Sequence, residues 1–279
     1  EELLTAVKER LESFTVDGIL DSGMLEQLTE EAWYSPFPQF QTTERPDRAA
    51  QELLNGKAVL LCDNSPVALV VPGAFNSFME SSEDWYNRFE MASFLRGLRY
   101  LAMAVATLLP GLYLAVIRFH TQILPANLIL SFAQAREGVP FSSVVELVFL
   151  ELSFELIREA GVRIPGALGN AIGIVGGLII GQAAVEANLV SPVVVIIVAL
   201  TALGSLAIPN EEFASAFRLL KYAFLFLGGF LGIFGIVLGL YLTMAHLAGL
   251  LSFGVPYLVP FVEKNSEAET GGRILRQPF

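Results

Sequence analysis

The chain is short of the residues that do most protein chemistry. Its 279 residues include one cysteine, Cys62, and two histidines, His120 and His246. One thiol makes neither a disulfide nor a thiolate metal cluster, and Cys62 lies in an apolar stretch where a core role is expected. Neither histidine has a companion at metal-ligand spacing. Each stands at the edge of an apolar segment, where interfacial anchoring is the expected role. No glycine-rich phosphate loop, nucleophile motif or intramembrane-protease motif occurs, so no catalytic site and no cofactor is expected. Charge is scarce too: 16% of residues are Asp, Glu, Lys or Arg, against roughly 25% in ordinary soluble domains. The imbalance is acidic, with a net charge of −11, which excludes nucleic acid as a ligand because the two repel.

What the chain has in quantity is apolar surface. Hydrophobic residues make up 54% and the mean hydropathy is +0.59. The charges are unevenly shared. Residues 1–89 hold 16 acids and 6 bases, and the rest of the chain 12 and 11. That split predicts an acidic soluble α+β domain over 1–90, an α-helical polytopic membrane domain of about four to six segments over 91–261, and a polar flexible tail over 262–279. The chain opens EELLTAVKERLESF, without a methionine or a signal-peptide pattern. Its first 90 residues are expected to be the C-terminal part of a larger N-terminal domain.

Local signals sharpen this division. Helical spacing marks residues 1–14 and 23–33, and ERPDRAAQELLNG places Pro46 in a first helical turn with Asn55-Gly56 as a stop. KAVLLCD and VALVVP, separated by NSP, predict a β-hairpin. A further helix is expected over 81–89. The run from Phe94 to Phe119 is long enough to cross a ~30 Å hydrocarbon core, with Pro110-Gly111 inside it. Residues 120–140 read as a re-entrant or interfacial segment. Spans are expected near 167–187, 191–208 and 219–244, with SFGVPYLVPF (252–261) at an interface.

Two constellations stand out. GNAIGIVGGLIIG puts Gly169, Gly173, Gly177 and Gly181 on one helix face, a spacing that lets another helix approach closely. The helix predicted over 142–161 carries Glu146, Glu151, Glu155 and Glu159 amid apolar residues. Such acids suit a cation pathway in a ring of copies, or equally the wet face of an interfacial helix. Gln182 and Glu186 follow one turn apart and pose the same choice between pore and interface. The candidate ion pathway is therefore Glu146, Glu151, Glu155, Gln182 and Glu186.

YSPFPQFQTTERPDRAAQELLNGKAVLLCDNSPVALVVPG, REGVPF, FELIREAGVRIPGALGNAIGIVGGLIIGQAAVEANLVSP and SFGVPYLVPF resemble the GerA family of spore germination proteins, specifically its A-type membrane subunits. IPGALGN (164–170) and AIPNEEF (207–213) resemble the stage V sporulation protein AF branch. The resemblance implies a spore inner-membrane protein that works beside a transporter-like B subunit and a C-type lipoprotein, or beside a small membrane partner. It also implies a pentameric, ion-conducting assembly that releases cations, with the soluble domain on the cytoplasmic side. A non-conducting scaffold and a secondary transporter are the alternatives, the latter supported by Pro125-Ala126-Asn127.

Overall fold

A computed structural model describes residues 2–163, 168–259 and 261. The chain is mostly helical with a small sheet, and it divides into two compact units. One is built from Glu1–Leu101, Ala207–Leu219 and Tyr241–Phe279, the other from Ala102–Leu206 and Leu220–Leu240.

The first unit follows its local signals closely. Helices α1 (Glu2–Glu12) and α2 (Ser22–Thr29) precede strand β1 (Gln41–Thr43), and α3 (Pro46–Leu54) begins on Pro46. Proline suits that position because the missing N–H would have no helical partner there. Beyond α3, Gly56 turns with φ +83°. Strands β2 (Ala58–Leu61) and β3 (Ala68–Val71) form the expected hairpin. β1 adds to its other side, so the sheet order is β1-β3-β2 and every pair is antiparallel. Central β3 is buried throughout, and Leu69 and Val71 join Val7, Leu25, Phe40 and Phe253 in one apolar core. Cys62 packs against that core, as an apolar setting would require.

Short helices α4 (Phe75–Phe78) and α5 (Glu83–Tyr86) lead to α6 (Phe89–Phe119); the second covers only the middle of the helix expected over 81–89. Arg96 and Arg99, at the start of the long apolar run, are engaged inside this unit. Arg96 binds Asp84 at 3.0 Å and Glu80 at 3.1 Å, and Arg99 grips both Asp84 oxygens at 2.7 and 2.8 Å. Asp84 is fully buried, so this fork-on-fork pairing supplies the countercharges it needs.

SFGVPYLVPF, expected at an interface, contributes instead to this unit. Tyr257 is fully buried and donates its hydroxyl to Pro38 O at 2.9 Å. Ser252 donates to Gln39 O and accepts from Gly73 N. The backbone of the segment takes part as well, Tyr257 O accepting the Phe75 N–H at 2.8 Å. Strands β4 (Leu251–Ser252) and β5 (Val255–Pro256) make a second, two-stranded sheet.

The second unit is helical. It takes residues from α6 and from η1 (Thr121–Ile123), α7 (Ala126–Ala135), α8 (Ser143–Val162), α9 (Leu168–Glu186), α10 (Pro192–Leu206) and α11 (Glu211–Gly249). Its core joins Tyr113 and Leu114 of α6, Leu147 and Leu150 of α8, Ala184 of α9, Val194 and Val198 of α10, and Leu225 of α11. Among the described residues, α6 and α11 are long and apolar enough to cross a membrane, by length and composition.

α11 is not one rod. Its 39 residues would span about 58 Å, and Gly232 interrupts the helical backbone with φ +65° and ψ −146°. A Cβ on Gly235 would overlap Leu227 O, and one on Gly239 would lie 2.7 Å from the Phe224 ring. In a straight helix, residues 8 and 15 apart are separated by about 12 and 22 Å. The chain therefore reverses at Gly232, and 211–231 and 233–249 form an antiparallel helical hairpin. The sequence reading of one span near 219–244 missed this reversal. Glycine is needed because side chains disfavour that backbone region. Arg118 donates to Gly229 O at 2.7 Å, satisfying a carbonyl that the broken helix leaves without a partner.

Candidate functional site

α8 carries the acids singled out above and separates them by burial. One face presents Ser143, Glu146, Leu147, Leu150 and Glu151 to the interior, with both glutamates 1% exposed. A buried carboxylate needs a countercharge and filled hydrogen-bond positions. Glu146 has Arg136, at the C-terminal end of α7, 2.9 Å from one oxygen. Its other oxygen accepts the Ser191 backbone N–H at 2.9 Å. Ser191 directly precedes α10, whose N-terminal dipole also favours the negative charge. Arg136 further donates to the Ser143 hydroxyl.

Glu151 has a second cation. The Lys221 ammonium lies 2.5 Å from one oxygen, and the Thr201 hydroxyl donates to the other at 3.0 Å. Lys221 is 4% exposed and its ammonium stands 5.1 Å from the Tyr222 ring centre. Three helices, α8, α10 and α11, thus converge on one carboxylate, and the first half of the hairpin brings Lys221 to it.

The other candidate residues lie elsewhere. Glu155 pairs with Arg158 at 3.4 Å, one turn along α8. Gln182 donates to Glu186 at 3.1 Å, and both are exposed. The candidates therefore form two buried ion-pair sites, one partly exposed pair within α8 and one exposed amide–carboxylate pair rather than a continuous acidic stripe. Arg136, Ser191, Thr201 and Lys221 escaped the sequence reading. Lys221 could have been flagged, since a lysine inside RLLKYAFLFLGG requires a buried anion somewhere in the fold. Among the described residues, no cluster of three or more His, Cys, Asp or Glu groups could hold a metal ion.

All four glycines of the stripe belong to α9. Gly177 faces the Phe154 ring, 2.6 Å from where a Cβ would stand, and Gly181 meets Val195 at 3.2 Å. Gly173 has no described atom within 4 Å. The surroundings of Gly169 lie outside the described residues.

The family model described as Bacillus/Clostridium GerA spore germination protein matches residues 1–279. The chain belongs to the GerA family. Among relatives of this GerA chain, spore germination protein KA of Bacillus subtilis is 43% identical over 267 residues, covering 96% of this chain and 49% of that protein. Spore germination protein A1 of the same organism is 42% identical over 280 residues, covering 99% and 57%. The B. subtilis membrane protein YfkQ is 45% identical over 256 residues, covering 92% and 50%. The chain thus spans about half the length of the curated relatives it matches. No solved structure matches it.

Proposed function

We propose that this chain supplies the membrane-embedded part of an A-type subunit of a germinant-receptor-type complex, and that it forms or modulates an oligomeric cation channel in the spore inner membrane. Membership of the GerA family sets the frame. The observation that supports the conducting role is an exposed acid on an apolar helix, Glu186 bonded to Gln182, beside a charged interior where Glu146–Arg136 and Glu151–Lys221 are buried. Buried ion pairs stabilise poorly compared with apolar packing, and ionisable groups in apolar helices commonly serve ion movement or switching.

In this reading several copies, five by family resemblance, surround a central pathway. Exposed Gln182 and Glu186, with Glu155, line it and favour cations. Glu146 and Glu151 hold the helices that present them. The α9 glycines pack the assembly, and a polytopic membrane domain carries it. A transporter-like B subunit, a C-type lipoprotein or a small membrane partner completes the complex. The sheet-bearing unit faces the cytoplasm, and no catalysis is involved.

The test is flux of potassium or sodium from vesicles holding the reconstituted chain. Joint Glu155→Gln and Glu186→Gln replacement should lower it at least threefold. Unchanged flux in that variant would remove the acidic pathway. A non-conducting scaffold is the second reading, favoured because Glu146 and Glu151 are already neutralised within one chain. It predicts no flux at all, and loss of the partner subunits from the membrane when the chain is deleted.

A further inference from the structure

The loop after α2 reads WYSPFP, and it places two large aromatic side chains where a soluble surface would not hold them. Trp33 is 81% exposed and Tyr34 68%. Their rings meet edge-on, with centroids 6.3 Å apart. The pair is fixed to the last turn of α11. Tyr34 lies 6.2 Å from the His246 ring, edge-on, and Ser35 Oγ lies 2.9 Å from His246 Nε2. Behind them Phe37 packs on His246 from the buried side, at 6.1 Å. One turn earlier on the same helix stripe, Leu242 is also exposed, and Tyr241 and Met244 flank it.

We propose that Trp33 and Tyr34, seated on the last turn of α11, are an interfacial anchor that lies at the headgroup level of a lipid bilayer. The inference rests on the membrane reading above and adds a depth marker to it. Three observations select lipid as the occupant. The aromatics stand at the end of the apolar run 233–249, the second half of the α11 hairpin, and exposed Tyr241, Leu242 and Met244 of that run lead to them. Among the described residues, the indole N–H and the phenol hydroxyl have no protein partner, so each ring offers an apolar body and a free polar tip. That combination suits the boundary between headgroups and acyl chains and neither water nor hydrocarbon. The nearby charge is acidic: Glu30 is unpaired by any described cation, and Glu31 binds Arg10 at 3.6 Å. The contact is therefore made by the aromatic rings and does not depend on anionic lipid.

The chain has two tryptophans, so Trp85→Phe isolates Trp33 fluorescence. The full chain carrying W85F would be reconstituted into phosphatidylcholine vesicles with lipids brominated near the headgroup or near the bilayer centre. Shallow bromine should quench Trp33 at least twofold more than deep bromine, and acrylamide should quench it less than in the denatured chain. W33F with Trp85 retained should lose the shallow quenching, which covers a W85F variant that folds poorly. Stronger quenching by deep bromine would overturn the proposal. So would full acrylamide access without bromine quenching, and protection from both quenchers would assign the patch to a second protein copy. Vesicle flotation separates the two levels: a chain that does not float sinks the membrane reading, whereas a floating chain with unquenched Trp33 sinks only the anchor.

Discussion

Lys221→Met isolates the most buried charge pair in the helical unit. It leaves an ionised Glu151, whose side chain is 2% exposed, with the Thr201 hydroxyl as its remaining donor among the described residues. Breaking a buried ion pair by removing one partner costs about 3–5 kcal/mol. Glu151→Met strands the ammonium instead and should fall in the same range. Thr201 is less disturbed by that change, because its hydroxyl also reaches Val198 O at 2.8 Å. Removing both charges replaces a desolvated pair with apolar side chains of similar volume, which is often neutral or stabilising. The double variant should therefore lie within about 1 kcal/mol of the parent, giving a coupling of at least ~5 kcal/mol. Set against a total stability of about 5–15 kcal/mol, either single change alone should be obvious. The assay is unfolding in mild detergent, followed by near-ultraviolet circular dichroism, for the four members of the cycle. A double variant as unstable as the sum of the singles, or singles within 0.5 kcal/mol of the parent (about the reach of an ordinary surface change), would refute the reasoning.

Glu26 predicts a pH effect in the sheet-bearing unit. It lines a cavity of about 280 Å³ with Glu30 and Glu212, and burial, then the Glu212 and Glu30 charges, pushes its carboxyl up to about 8. The unfolded carboxyl titrates near 4.5, so between these values the folded state holds a proton that the unfolded state has lost. Stability present below pH 4.5 should fall as pH rises to 8. Glu26→Gln should flatten that fall by about 2–4 kcal/mol, read from chemical denaturation at pH 5, 6.5 and 8, and an unchanged slope would contradict it. Gly232→Ala should cost about 1–3 kcal/mol, because the backbone there has φ +65° and the new methyl would press on Phe119 and His120. Gly97→Ala, with open space at its Cβ position, should be neutral or stabilising, both variants being read in a thermal melt against the parent. Equal losses at the two sites would count against a reversal at Gly232.

The parts of the fold visible in the sequence were those written in local chemistry. Pro46 and Asn55-Gly56 bound α3 because the missing N–H of proline and the turning freedom of glycine act within one helical turn. The β2–β3 hairpin followed from two apolar runs and a turn between them. The hidden parts depend on residues far apart in the chain. β1 has only QTT to mark it, and its place beside β3 is decided by burial on both faces of the central strand. Tyr257 looked interfacial because its bond to Pro38 O joins positions 219 residues apart. Among the candidate site residues, the sequence displayed the acids of α8. Which of them are buried depends on where Arg136, Thr201 and Lys221 arrive, and periodicity carries no information about that.

The glycines make the same point in sharper form. Regular four-residue spacing drew attention to α9, yet Gly177 and Gly181 meet side chains of α8 and α10 rather than another helix backbone. The closest backbone approaches fall at glycines with no such regularity. A Cβ on Gly111 would overlap Phe224 O, one on Gly228 would overlap Gly111 O, and one on Gly204 would lie 2.7 Å from Ala102 O. These glycines join α6 to the first half of the hairpin and to α10. In the membrane setting proposed above, helices gain little from hiding leucine and much from close contact, which makes these the positions where small residues matter most. Pro110 fits the same logic. It removes one helical hydrogen bond from α6, in the turn where Gly111 meets the α11 backbone, so a neighbouring helix covers the segment that the proline weakens. The reversal at Gly232 then returns α11 along its own first half, with Gly235 and Gly239 again providing the room. Close contact in this unit is thus specified by reciprocal glycines on different helices, a pattern that appears only once the chain is folded.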